Sequence, residues 1–135
     1  MLKSTKFQKV MIIDDNQIDR YISSRMIKKH NFGNTVLEFS AANDALEYLI
    51  LHQDNKEMLP EIIFVDIYMP MMSGFEFMEA YIDLSGYVKE YCRAFIISST
   101  IDANDILRVD DNPHVVGFHQ KPVTTQFLET IDIIR

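Results

Sequence analysis

Two periods alternate along the chain. Short apolar runs of strand type occupy residues 10–13, 36–39, 62–65, 94–97 and 115–118. They are rich in Val, Ile and Phe, as expected of parallel strands buried on both faces. Between them, apolar residues return every three or four positions. Ile18, Ile22 and Met26 stand at i, i+4 and i+8, with Tyr21 beside them. Ala42, Leu46, Leu49 and Ile50 repeat the spacing, as do Phe75, Met78 and Ile82, and later Phe127, Leu128, Ile131 and Ile134. A shorter, less regular segment at 104–109 reads as the fourth helix in chain order. Ser73, Asp102 and Thr124 precede the third, fourth and fifth helices, where a short polar side chain can accept from free backbone N–H groups. Residues 52–60 and 84–91 read as surface elaborations between elements.

Five strands and five helices in strict alternation predict an α/β fold, a doubly wound parallel sheet covered on both faces. With 135 residues, no linker and no internal repeat, the expectation is one domain over 1–135. In such sheets the functional site lies at the carboxyl ends of the strands. The first run ends in Asp14-Asp15, the second in Ser40 and the third in Asp66. The fourth ends in Ser98-Ser99-Thr100, and the fifth runs through His119 and Gln120 into Lys121-Pro122. Three carboxylates, a hydroxyl and an ammonium are therefore expected on one edge. Crowded carboxylates repel and cannot all remain ionised unaided. A hard divalent cation relieves the repulsion, and an all-oxygen donor set suits Mg²⁺. One carboxylate can then serve as nucleophile toward phosphorus. A lysine and a hydroxyl can hold the remaining phosphoryl oxygens.

Composition narrows the alternatives. Thirteen basic against twenty acidic residues give a net charge of −7, which argues against a nucleic-acid-binding face. The single cysteine, Cys92, rules out an intrachain disulfide and a multi-cysteine zinc site. His30, His52, His114 and His119 show no ligand spacing. No apolar stretch approaches the roughly 20 residues that span a bilayer, and no signal peptide is evident, so the expected location is cytoplasmic and no membrane partner is expected. Neither glycine-rich phosphate cradle, G-x-x-x-x-G-K-[ST] or G-x-G-x-x-G, is present.

The strand-end residues resemble those of the receiver domain of bacterial two-component response regulators, of the chemotaxis-regulator type. The resemblance rests on Asp14-Asp15, on the run Val65-Asp66-Ile67-Tyr68-Met69-Pro70-Met71-Met72-Ser73-Gly74, and on Ser98, Phe118 and Lys121-Pro122. It covers about residues 9–134. It implies a flavodoxin-like (βα)5 fold with strand order 2-1-3-4-5. Asp66 would accept the phosphoryl group. Asp14, Asp15, Asp66 and the backbone carbonyl of Tyr68 would hold Mg²⁺. Ser98 would hydrogen-bond the phosphoryl group, with Ser99 as the neighbouring alternative. Lys121 would pair with its oxygens, and Phe118 would be the aromatic switch. The peptide before Pro122 is often cis in that family.

By the same resemblance the protein is a signalling switch rather than an enzyme. Its donor would be a histidine kinase or histidine phosphotransfer protein, met through the surface around Asn16, Gln17, Ile18 and Tyr21. Its output surface would be built from residues 104–109, 115–120 and 125–135, and a homodimer on activation stays open. With no output domain after Arg135, a stand-alone effector is expected. The alternatives are a relay shuttle that passes the phosphoryl group to a second histidine and a non-phosphorylated pseudo-receiver. Three positions depart from the family pattern: Ser98 where Thr is frequent, Phe118 where Tyr is frequent, and a bulky Tyr68 that could shield an acyl phosphate. Tyr68 also stands where aspartyl-phosphate hydrolases of the haloacid dehalogenase type need a second Asp, which argues against that class.

Overall fold

The computed structural model describes residues 4–100 and 102–132. The sequence expectations placed on Ile134 and on 133–135 fall outside those residues. Within them, the order is β1 (Phe7–Ile13), α1 (Gln17–Lys29), β2 (Gly33–Phe39), α2 (Ala42–Leu51), β3 (Ile62–Val65), α3 (Gly74–Tyr81), α4 (Gly86–Tyr91), β4 (Arg93–Ser98), α5 (Ala103–Asp111), β5 (Val115–Gln120) and α6 (Thr125–Glu129). The strands form one sheet in the order β2-β1-β3-β4-β5, and every neighbouring pair is parallel.

Alternate residues of the central strands feed two cores, one on each face. Met11, Ile13, Ile63, Val65, Ala94 and Ile96 pack with α2, α3, α4 and Val109 of α5. Val10, Ile12, Ile62, Phe64, Phe95 and Ile97 pack with Ile27 of α1 and Leu128 of α6. Each of these side chains larger than alanine contributes on the order of 2 kcal/mol by leaving water. The helix starts follow the polar residues expected to cap them. Ser73, Asp102 and Thr124 each accept a backbone N–H, and Asn16 and Ser85 do the same for α1 and α4.

Two expectations are corrected. The described residues hold six helices rather than five, because 86–91 forms a short helix inside the segment expected to be a surface elaboration. Its Val88 is fully buried and Leu84 nearly so, and both belong to the larger core. One and a half turns are too few to show a period. The second correction concerns α1. Its expected apolar face, Ile18, Tyr21 and Ile22, is 71 %, 61 % and 40 % exposed, and Ser23, Ser24 and Ile27 face inward instead. Small hydroxyl residues allow the helix to lie close to the sheet, which leaves the bulky stripe outside.

Candidate functional site at the carboxyl edge of the sheet

The ladder that joins β1 to β3 continues one residue past both strands. Asp66 donates its backbone N–H to the Ile13 carbonyl at 2.9 Å, and Asp14 donates its own to Phe39 of β2 at 3.0 Å. Asp14 and Asp66 therefore leave adjacent parallel strands side by side. Both are buried, at 4 % and 7 % exposure, while Asp15 is exposed. One carboxylate oxygen from each of Asp14, Asp15 and Asp66 lies within 4.8 Å of the others. Local bonds fix two of them: Asp14 Oδ1 accepts from the Asn16 N–H at 2.9 Å, and Asp66 Oδ1 from the Ile67 N–H at 2.9 Å.

The β4–β5 pair delivers the cation in the same way. The Lys121 N–H donates to the Ser98 carbonyl at 2.8 Å, one step beyond the Ser98–Gln120 pair. The Lys121 side chain then reaches across the edge. Its Nζ lies 2.7 Å from Asp14 Oδ2, 2.8 Å from Asp19 Oδ2 and 3.5 Å from Asp66 Oδ2. The Lys121–Pro122 peptide is cis. Burial works against this ammonium, but the hydrogen bonds to Asp14 and Asp19 outweigh it and hold its pKa above the ordinary lysine range.

Electrostatics mark Asp66 as the strained member. Burial pushes its pKa up to about 6. Lys121 opposes that rise and the Asp14 charge adds to it. A carboxylate that is costly to ionise and open to a neighbouring cation suits a divalent ion, and the oxygen-only donors suit a hard one. The residues present therefore fit Mg²⁺.

The remaining expected residues occupy defined places. Ser98 is fully buried, whereas Ser99 is exposed. Ser98 Oγ donates to the Thr100 carbonyl at 3.0 Å. Phe118 sits on edge strand β5 and is 39 % exposed. Tyr68 is 55 % exposed. Its hydroxyl lies 2.9 and 2.7 Å from the two carboxylate oxygens of Asp105, a buried residue in the first turn of α5. That bond is the main reason its phenol pKa is pushed up to about 12. The loop after Asp66 turns through Met71, with φ of 71°, and returns so tightly that Gly74 donates to the Ile67 carbonyl at 2.8 Å. A Cβ on Gly74 would stand 2.2 Å from the Asp66 carbonyl oxygen, so this position tolerates no side chain.

Sequence reasoning missed Asp19 and Asp105. Asp19 had a signal: it sits three residues after the capping Asn16, so the first turn of α1 faces it back toward the strand ends. Asp105 had none, since it meets Tyr68 across 37 positions of sequence.

Comparison with known proteins identifies the family of the chain. A family model described as the response regulator receiver domain matches residues 10–131. An uncharacterized response regulatory protein of Staphylococcus epidermidis is 30 % identical over 129 residues, which is 93 % of this chain and 46 % of that protein. The chain thus spans about half the length of that curated relative. A response regulator receiver protein of Dyadobacter fermentans is 30 % identical, with a TM-score of 0.80 over 91 % of this chain and 93 % of that one. A two-component response regulator from Cytophaga hutchinsonii superposes with a TM-score of 0.84 over 93 % of both chains; at 23 % identity it speaks to the fold alone. With a family match across nearly the whole sheet and a basic residue bridging its acidic edge, the chain belongs to the response regulator receiver domain family.

Proposed function

We propose that Asp66 accepts a phosphoryl group from a phosphohistidine donor and that the protein signals through the resulting change of surface. Receiver domains are signalling modules that bind Mg²⁺ at an acidic pocket and take their phosphoryl group from a histidine kinase or a similar partner. The observation that carries the reading is the Lys121 ammonium bridging Asp14 and Asp19 within 3.5 Å of Asp66, beside the three-carboxylate cluster.

In this reading Asp14, Asp15, Asp66 and the Tyr68 carbonyl hold the cation, which neutralises charge on the phosphoryl oxygens. An Asp66 carboxylate oxygen forms the new bond to phosphorus as the phosphorus–nitrogen bond to the donor imidazole breaks, and the imidazole keeps the electron pair. The backbone N–H of Ile67 orients Asp66 through Oδ1, and Lys121 faces Oδ2. Lys121 stays protonated throughout the physiological range and so offers a fixed positive charge to the incoming oxygens. Ser98 exchanges its bond with Thr100 for one to the phosphoryl group, and Phe118 moves inward from its exposed place on β5. The donor docks on the exposed Ile18, Tyr21 and Ile22. Ile22 also lines a hollow of about 180 Å³ with Asp19, Ser99, Lys121 and Pro122, which joins that stripe to the site.

Intact mass after incubation with Mg²⁺ and acetyl phosphate tests the reading, with Asp66→Asn and EDTA as controls. One Mg²⁺-dependent phosphoryl group, absent in the variant, is the expected result. No gain in mass together with no binding of beryllofluoride, a stable phosphoryl mimic, would sink it and leave a binding module. No helix among the described residues is long and apolar enough to cross a membrane.

A further inference from the structure

We infer that Asp19 is a positioning residue for Lys121: it draws the ammonium away from Asp66 and so keeps the carboxylate cluster open to a divalent cation. This inference rests on the phosphoacceptor reading above. Three observations support it. First, the ammonium has three N–H donors, and Asp14 and Asp19 accept at 2.7 and 2.8 Å while Asp66 stands at 3.5 Å. The ammonium is thus seated on Asp14 and Asp19, with Asp66 its most distant partner. Second, Asp19 is rigidly mounted. Its backbone N–H is held by the Asn16 side chain at 3.0 Å in the first turn of α1, and its Oδ2 accepts from Lys121 Nζ at 2.8 Å, so both ends of the residue are tied. Third, Lys121 is largely buried, with a side chain 11 % exposed, and needs a counter-charge in every state of the site. When Asp14 and Asp66 turn to a cation, Asp19 is the carboxylate among its three partners that remains.

Without the Asp19 charge, the ammonium has only Asp14 and Asp66 to pair with. It then competes with a divalent cation for the same oxygens. Asp19→Asn keeps the shape and removes the charge. The expected result is Mg²⁺ binding weakened about tenfold, the size of an ordinary coupling between charged neighbours, by calorimetric titration of the protein alone. Beryllofluoride binding, read by ¹⁹F NMR at saturating Mg²⁺, should change by less than about threefold, because excess cation overcomes the competition. The apo melting temperature should shift little, since Asp19 is a third exposed.

A double-mutant cycle separates positioning from simple long-range attraction between Asp19 and the cation. In a Lys121→Gln background the Asp19→Asn change should leave Mg²⁺ affinity unaltered. Equal loss in both backgrounds would overturn the inference, and so would an Asp19→Asn protein with parental Mg²⁺ affinity. Asp19→Ala serves as a second variant with the same expected pattern. Failure of the phosphoacceptor reading looks different: the parent itself would then bind no beryllofluoride.

Discussion

α1 and α3 flank the same acidic edge from opposite faces of the sheet, yet they use their apolar residues in opposite ways. Of the eight residues of α3, Gly74, Phe75, Phe77, Met78 and Tyr81 are buried. In the thirteen residues of α1 only Ser23, Ser24 and Ile27 are buried, Met26 packs partly against the core, and Ile18, Tyr21 and Ile22 are exposed. α3 is anchored by its core, and its first residue packs on the Asp66 backbone. α1 is anchored by an Asn16 cap, one isoleucine and polar contacts such as Arg20 to the Asp14 carbonyl at 2.8 Å. The contrast separates holding the acceptor in place from presenting a surface beside it. Exposed large apolar groups cost solubility, and a stripe of them beside the acidic edge is the kind of surface a docking partner would cover in the proposed function.

The widest test of that division compares one residue from each helix. Phe77→Ala should destabilise the fold by about 3–5 kcal/mol, because it empties a fully buried ring site. Tyr21→Ala should stay within about 0.5 kcal/mol of the parent in urea denaturation. The same Tyr21 variant should lose about tenfold or more in transfer from a phosphohistidine protein while accepting acetyl phosphate at the parental rate. Comparable destabilisation by the two changes would erase the contrast, since α1 would then be core on both sides.

The contrast also explains which features were legible in the sequence. Strand ends were readable because buried parallel strands are continuous apolar runs, and the polar residue that stops each run is a visible boundary. Asp14 and Asp66 could be placed on one edge for that reason alone, whereas Lys121 follows the polar His119 and Gln120 of a half-exposed edge strand, so the strand had to be read past its apolar run. Helical spacing in α1 fixed the helix but not its orientation. Period reports that residues share a face, whereas the serines that allow close approach to the sheet decide which face is turned inward. α4 was unreadable because a six-residue helix completes too few turns to show a repeat. Asp105 was unreadable because its meaning lies in Tyr68, an element away in space and far in sequence.

Gly74→Ala probes the joint between α3 and the acceptor. A methyl group 2.2 Å from the Asp66 carbonyl oxygen and 3.0 Å from Ile67 Cα meets backbone on both sides, so the loop must move. We expect a loss of about 2 kcal/mol or more and a weaker Mg²⁺ site, because the residue displaced is Asp66 itself. Parental stability and Mg²⁺ affinity in this variant would show that α3 does not hold the acceptor.

Asp66→Asn should act in the opposite sense on stability. In the metal-free fold its pKa is raised from 3.8 to about 6, mainly by burial. Between about pH 4 and 6 the folded chain therefore holds more of this proton than the unfolded chain. Metal-free stability falls as pH rises across that window, and the penalty is complete above it. At pH 7.5 the Asn variant should be more stable than the metal-free parent by on the order of 1–2 kcal/mol. The gap should close toward pH 4, and Mg²⁺ should close it at pH 7.5 by stabilising the parent alone. Thermal melts across pH with and without Mg²⁺ would show this. A variant less stable than the parent throughout would mean that Lys121 already compensates the acceptor fully.

The smallest expected effect lies where the acceptor loop touches α5. The Tyr68 hydroxyl is tied to both Asp105 oxygens, and Asp105 also closes the N-terminal cap of α5 with Asp102. Tyr68→Phe removes the tie and keeps the ring, whereas Tyr68→Ala removes both. If the ring shields the acyl phosphate, only the Ala variant should lose phosphoryl faster, and the Phe variant should match the parent. The tie itself should show in backbone amide exchange: α5 amides near Asp105 should exchange a few-fold faster in both variants, with the rest of the sheet unchanged. Slower exchange of α5 than of α3 in the parent would already count against the tie as the weaker link. α3 is held by five buried residues, whereas α5 buries only Asp105 and Val109 and leans on α3 through Arg108, stacked 4.0 Å over Phe75. A single hydroxyl between an exposed tyrosine and a buried aspartate is then the contact that joins the loop after Asp66 to α5, and its loss should alter α5 while leaving the acidic cluster in place.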